Sequence, residues 1–309
     1  MSAFDAIIGY EGIKENLYRT ADCLRNTDEY FGLGVHPPRA LLFYGEPGVG
    51  KSLMARCLIE ESGRTAYVCR KDAPNGTFVE NIKNVFTEAM HNAPSIVFLD
   101  DLDKFANTDR IRRDAEEYVS VQSCIDALGD AEVFVLATAN DIEKLPDSLL
   151  RQGRLGNRLS IPCPKGEDAE KIINHYLKNK RSIVDVDASF LARLLGGRSC
   201  AELEGVINEA GLIAGYRRDN RITMDDMVHA ALSLLFGASD QVGDACDEGT
   251  QGRQEQIAYH EAGHVVVGEV LDPGCTTLAT VLKCNNKDGG FTLGKRSELL
   301  DYPNALEIN

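Results

Sequence analysis

The sequence predicts an α/β fold: a doubly wound parallel sheet, then a small all-helical lid domain, then the start of a mainly helical third region. Three observations carry this. Through the first half, short apolar runs alternate with helical patterns. From about Gly166 to Phe236 those runs disappear, and apolar residues recur at three- and four-residue spacing. Residues 237–252, GASDQVGDACDEGTQG, are glycine-rich and acidic and read as a linker before a last helical pattern. The expected boundaries are therefore 1–165, 166–236, 237–252 and 253–309.

The strands come first. ALLFYG (Ala40 to Gly45), TAYVC (Thr65 to Cys69), SIVFLD (Ser95 to Asp100) and VFVLATA (Val133 to Ala139) are short and bounded by turn or polar residues. They are rich in β-branched or aromatic residues, as buried strands are. RLSIP (Arg158 to Pro162) is a weaker fifth. Helical candidates lie between them near 51–62, 77–91 and 112–128. This alternation is that of a parallel sheet with crossover helices. AEKIINHYLKNK, ASFLARLLGG, AELEGVINEAGLIAGYRR and TMDDMVHAALSLLF supply the helices of the second domain. After the linker a further helix is predicted, and TTLATVLKC and GGFTLG flank a KDGG turn signal and suggest a hairpin.

Composition limits the function classes. The 33 basic and 48 acidic residues leave a net charge of −15, which argues against bulk-charge binding to nucleic acid or to an anionic membrane. No run approaches the ~18 apolar residues of a membrane span, so membrane anchoring is expected only through segments outside this chain. The N-terminus lacks the basic and apolar pattern of a secretory signal. The nine cysteines are scattered and form no C-x-x-C pair, so a reducing, cytoplasmic setting is expected.

GEPGVGKS (Gly45 to Ser52) satisfies G-x-x-x-x-G-K-[ST] between a predicted strand and a predicted helix. Gly45, Gly48 and Gly50 permit a backbone that turns N–H groups onto phosphates, and the helix start adds favourable partial charge. Lys51 is the residue for the β and γ phosphates, and the Ser52 hydroxyl is a Mg²⁺ ligand. Glu46, Pro47 and Val49 complete the loop, and Leu53 follows it as a further cofactor-binding candidate. The acidic half of such a site belongs at a neighbouring strand end, and SIVFLDD supplies Asp100 and Asp101. Asp100 is the expected holder of the Mg²⁺ shell. Asp101 occupies the place of a water-polarising glutamate, one methylene shorter. Asp103 reads as an ordinary helix or loop acid.

Near the C-terminus, AYHEAGHVVVGEV carries His260, Glu261 and His264 as H-E-x-x-H. On a helix, residues four apart share a face, so both imidazoles can meet one zinc ion, with Glu261 as the general base for its bound water. A catalytic zinc takes three protein ligands. Glu269, Asp272, Glu298 and Asp301 are the remaining candidate carboxylates, and each reads as a surface acid.

Together these residues resemble the AAA+ ATPases, and in particular the FtsH-type ATP-dependent zinc proteases, over nearly the whole chain. FDAIIGYEGIKENL (Phe4 to Leu17) is similar to the family's entry segment, with Ile8 and Gly9 by the adenine. VLATAND places Asn140 at the position of a γ-phosphate sensor, and LPDSLLRQGRLGNR resembles the arginine-finger segment, with Arg154 the best candidate. NHYL places His175 beside the adenine, GGRSCAELEGVINEA places Ala201 near the ribose, and AYHEAGH matches the protease signature.

The resemblance implies ATP, Mg²⁺ and Zn²⁺ as cofactors and a homo-oligomer, usually a hexameric ring, acting on protein substrates. It also implies that residues 253–309 begin a zinc peptidase domain whose third ligand, an aspartate, lies beyond Asn309. The sequence departs from the family pattern in two places. Arg154 and Arg158 are four apart where the family spaces its fingers by three, so the loop carries an extra residue or Arg158 is not a finger. RKDAPNGTFVENIK (Arg70 to Lys83) is short for a substrate-gripping pore loop, and Phe78 in it reads as a core residue. The implied activity is ATP hydrolysis coupled to unfolding and proteolysis. The rival readings are a remodelling ATPase or an ATP-binding scaffold with a non-functional peptidase remnant.

Overall fold

A computed structural model describes residues 2–35, 37–71, 77–106, 115–180, 183–236, 248–281 and 290–294. The chain divides into two compact units: Met1–Pro164 with Ser199–Ala201, and Lys165–Arg198 with Glu202–Asn309.

The first unit is built on five strands: β1 (Ala40–Tyr44), β2 (Thr65–Arg70), β3 (Ser95–Asp100), β4 (Val133–Ala139) and β5 (Arg158–Ser160). They form one sheet in the order β2-β3-β4-β1-β5, and every pairing is parallel. The doubly wound parallel sheet expected from the sequence is therefore present. Every residue of β3 and β4 is buried, as the uninterrupted apolar runs SIVFL and VFVLA require of central strands. Edge strand β2 is mostly half-exposed or exposed.

Before β1 stand α1 (Glu11–Arg25) and the short α2 (Thr27–Gly32); α3 (Lys51–Ser62), α4 (Phe78–His91) and α5 (Glu116–Ala127) follow β1, β2 and β3. Helix α4 buries Phe78, Ile82, Phe86 and Ala89, a stripe at three- and four-residue spacing. Those side chains join Leu42, Val97, Leu99, Val121, Val135 and Ala137 in one core. Each large apolar side chain so buried contributes about 1.5–3 kcal/mol.

Parallel pairing has a direct consequence for function. All strands run the same way, so their C-terminal ends share one edge. Tyr44 is level with Ala139, and Arg70 is level with Asp100. The loop after β1 and the acids after β3 thus open on the same edge, where open α/β sheets bind ligands.

The second unit contains α6 (Gly166–Lys178), α7 (Ala188–Leu194), α8 (Cys200–Tyr216) apart from its first two residues, and α9 (Met224–Phe236). Ile172, Ile173, Leu191, Leu203, Val206, Ile207 and Met227 are buried in it. It continues with α10 (Glu248–Leu271) and the antiparallel pair β6 (Thr276–Thr280) and β7 (Phe291–Gly294). The paired strands are those of the expected hairpin. Helix α10 begins at Glu248, inside the stretch read as linker. Glu, Gln and Arg are good helix formers, and the cost of about 1 kcal/mol per helical glycine does not stop a long helix from extending back. Residues 237–247 lie outside the described residues. Among the described residues no helix is long and apolar enough to cross a membrane.

Candidate nucleotide site and histidine pair

The loop Gly45 to Gly50 holds its shape through glycine. Gly45 has φ 151°, and a Cβ there would lie 2.1 Å from the Ile161 carbonyl oxygen. Gly48 has φ 81°, and its Cβ would lie 2.8 Å from the Cβ of Ala201. The Ala201 N–H donates to the Gly48 carbonyl at 3.1 Å, so Ala201 stands against the loop itself. Gly50, at φ 96°, is the N-cap of α3 and brings no capping side chain, so an anion could take that role. Lys51 opens α3 and is only 6% exposed. Its ammonium donates to the carbonyls of Gly45 at 2.8 Å and Glu46 at 2.7 Å. Burial lowers its pKa below the ordinary lysine value, and the charges of Asp101, Asp103 and Asp100 oppose that shift.

The acidic pair is wired to two strands. Ser52 Oγ donates to Asp100 Oδ1 at 3.0 Å, and Thr138 Oγ1 donates to the same oxygen at 2.7 Å. Thr138 Oγ1 in turn accepts the Asp101 N–H at 2.9 Å. Asp101 sits in the left-handed region at φ 55°. Its carboxylate accepts from Lys104 Nζ at 2.8 Å and from Asn140 Nδ2 at 3.4 Å. The Asn140 N–H donates to Asp103 Oδ1 at 3.0 Å. The structure therefore brings Lys51, Ser52, Asp100, Asp101 and Asn140 together.

Three residues of this cluster were not singled out by the sequence reading. Thr138 is the one hydroxyl in the otherwise apolar run VFVLATA, a usable signal. Asp103, read as an ordinary acid, is 5% exposed and pins the Asn140 backbone. Arg70 ends β2 and lies beside Asp100, which only the ladder register reveals.

The donor set fits a nucleotide with Mg²⁺. A hydroxyl and a carboxylate 3.0 Å apart suit a hard cation, and beside them stand a helix start without a capping side chain and a buried ammonium. Glu46, Pro47 and Val49 lie in the loop, with Val49 buried and Glu46 Oε2 3.4 Å from Cys163 Sγ. Leu53 is on the first turn of α3 and exposed. Ile8 is half-buried and Gly9 is buried, with φ 70°, just before α1.

Arg154 stands apart from this cluster. Its guanidinium grips Asp126 through two bonds of 2.9 and 2.6 Å and donates to the Ser148 carbonyl at 2.6 Å. The pairing lowers the Asp126 pKa and raises that of Arg154. His175 is an exposed residue of α6 in the second unit, edge-on to Tyr176. Of the short pore-loop segment, residues 72–76 lie outside the described residues. Phe78 is 5% exposed and packs edge-on against Phe105 at 4.8 Å, as the core reading expects.

The histidine motif lies on α10. His260 and His264 are exposed, and their Nε2 atoms face each other at 3.1 Å. That separation is near the ~3.3 Å expected of two nitrogens on one tetrahedral zinc. Glu261 is 8% exposed, and its carboxylate accepts from the Thr292 hydroxyl of β7 at 2.7 Å. Among the described residues no group of three or more His, Cys, Asp or Glu could hold a metal. Glu269 instead braces the turn after α10, accepting from the N–H groups of Gly274 and Thr276. Glu298 and Asp301 lie outside the described residues. Two imidazoles are fewer than the three protein ligands that a catalytic zinc takes.

Comparison with known proteins finds one family model that matches part of the chain and relatives that align with nearly all of it. Residues 41–163 match the model of the ATPase family associated with various cellular activities (AAA). The chain is 28% identical over 316 residues to an ATP-dependent zinc metalloprotease FtsH of Halothermothrix orenii, covering 99% of this chain and 50% of that protein. It is 30% identical over 304 residues to an FtsH of Mycoplasma pneumoniae, covering 94% of this chain and 42% of the relative. It is 31% identical over 289 residues to an FtsH of Acidothermus cellulolyticus, covering 87% and 42%. The chain spans about half, or less, of the length of these curated relatives.

Proposed function

We propose that this chain binds ATP with Mg²⁺ and hydrolyses it at Gly45–Ser52, a reading supported by the match of residues 41–163 to the AAA ATPase family model. It would do so as the motor of a longer FtsH-type zinc protease. The observation that carries this is the joining of Ser52, Asp100 and Thr138 by hydrogen bonds of 3.0 and 2.7 Å beside the buried Lys51.

The residues divide the work by their chemistry. Lys51 leaves the loop carbonyls for the β and γ phosphates, and the N–H groups of the loop and helix start receive phosphate oxygens. Ser52 and Asp100 hold the cation, which when bound neutralises phosphate charge. Asp101 accepts a proton from the attacking water, and Asn140 orients that water towards the terminal phosphate. Thr138 fixes both aspartates, one by its side chain and one by its backbone. Ile8 and Gly9 lie by the adenine, and Ala201 lies by the ribose. Arg154 reaches the nucleotide of a neighbouring subunit in a homo-oligomeric ring, a hexamer in this reading.

In the longer protein His260 and His264 would contribute two zinc ligands and Glu261 the base for peptide hydrolysis, with a third ligand supplied from elsewhere. Protein substrates and a location in the cytoplasm or on the cytoplasmic face of a membrane belong to the same proposal.

Steady-state ATPase measurement tests the core of it. Lys51→Ala is expected to reduce turnover at least ~10³-fold, the scale of losing a transition-state charge contact. Turnover that survives this change would sink the reading. The pairing of the short Asp101 with Lys104 at 2.8 Å favours one rival, a scaffold that binds ATP and turns it over little. Tight nucleotide binding without turnover would identify it.

A further inference from the structure

We propose that Lys71, with Glu117 behind it, is a positioning residue for Asp101. The pair holds the turn that presents the Asp101 carboxylate to the attacking water, and so sets turnover rather than nucleotide affinity. This rests on the hydrolysis reading above.

Asp101 is a strained residue. Its φ of 55° places a non-glycine side chain in the left-handed region, at the entry to the single helical turn Leu102–Lys104. Such a conformation costs free energy and persists only where the surroundings over-determine it. The near end of the turn is held from β4 and the residue after it. The Asp101 N–H donates to Thr138 Oγ1 at 2.9 Å, and the Asn140 N–H donates to Asp103 Oδ1 at 3.0 Å. The far end is held by other elements. Tyr118 Oη donates to the Asp103 carbonyl at 3.3 Å, and Lys71 Nζ donates to the Phe105 carbonyl at 2.5 Å.

Lys71 directly follows β2, the sheet neighbour of β3. Its side chain is only 8% exposed, and its ammonium also donates to Glu117 Oε1 at 3.0 Å. The same ammonium lies 5.5 Å from the centre of the Phe78 ring. A lysine so covered by protein is stable when its charge is paired. Glu117 supplies that pairing and keeps the ammonium inside, within reach of Phe105. Glu117 and Tyr118 are adjacent on α5, so one helix turn holds Asp103 directly and Phe105 through the lysine.

Without Lys71 the far end of the turn loosens, and the strain at Asp101 can relax by moving its carboxylate. The groups that hold phosphate and cation are anchored elsewhere: Lys51 on the loop carbonyls, Ser52 and Asp100 on each other and on Thr138. Turnover and binding should therefore separate. A lysine that only packed the core would not separate them.

The test is ATP turnover beside equilibrium binding of a fluorescent ATP analogue, both at saturating Mg²⁺. In Lys71→Met, kcat is expected to fall about tenfold, the scale of a misplaced catalytic group, with analogue affinity within about twofold of native. Glu117→Gln keeps the shape and a weaker acceptor, and kcat is expected to fall about threefold. That variant carries the test if Lys71→Met does not fold. Either change added to Asp101→Asn, with the residual rate followed in single turnovers, is expected to cost nothing further, because a residue acting through Asp101 then has nothing to act on. Native kcat in the single variants, affinity lost in parallel with kcat, or the full loss repeated in the Asp101→Asn background overturns this proposal and leaves the nucleotide reading intact. A native chain that binds the analogue but does not turn over ATP overturns the hydrolysis reading and this proposal with it.

Discussion

At the end of β3, Asp100 is buried and meets Ser52 from α3, Thr138 from β4 and Arg70 from β2. On α10, His260 and His264 are exposed and face each other, and no third ligand stands near them among the described residues. Both motifs are equally legible as strings of letters. They differ in how many elements each site draws on. A parallel sheet gathers strand ends on one edge, so one short motif there recruits groups far apart in sequence. A single helix fixes only the spacing of its own residues. A motif therefore shows that chemistry is intended, and convergence of several elements shows that the site is built.

Four substitutions press on this contrast. The largest effect is expected from glycine. Gly48→Ala puts a Cβ 2.8 Å from that of Ala201 at φ 81°, and about 3 kcal/mol of stability should be lost. Gly263→Ala on α10 meets nothing within 4 Å and should be neutral or stabilise by up to about 1 kcal/mol. Chemical denaturation of the two variants compares them. Equal effects would mean that the phosphate loop is no more tightly built than the histidine helix.

Next comes Thr138→Val, which removes the donor to Asp100 and the acceptor for the Asp101 N–H. The expected loss is about 2 kcal/mol, or ~30-fold in ATPase turnover, with little change in KM for ATP. A variant that turns over like the native chain would show that the buried hydroxyl is only a packing group.

The smallest effect is expected from His264→Ala. ATP turnover should stay within about twofold, because sites that share no partner residues add independently. Zinc binding by the native chain should be weak, and this change should abolish it. Tight zinc binding by the native chain, measured by titration against a metal-sensitive dye, would mean that a third ligand is supplied from outside the described residues.

The centre of the sheet was legible because β3 and β4 are fully buried and therefore nearly uninterrupted in sequence; SIVFLD and VFVLATA need no partner information to be recognised. The start of α10 was not, because glycine and acidic residues in GASDQVGDACDEGTQG read as linker while helix formers carry the helix back to Glu248. At the site, GEPGVGKS and SIVFLDD announced Lys51, Ser52, Asp100 and Asp101. Asp103 did not stand out, since an acid near a strand end is usually solvated, and only burial under the Asn140 backbone marks it.

The sequence by itself determined the order of strands and helices, the phosphate-loop chemistry and the presence of a two-histidine helix. These rest on local periodicity and on residue types a few positions apart. Only the tertiary structure decided that Thr138 links the two aspartates, that Arg154 grips Asp126, and that Arg70 stands beside Asp100. Such partners are set by strand order and ladder register, and a parallel sheet brings them together across dozens of intervening residues that carry no local record of the contact.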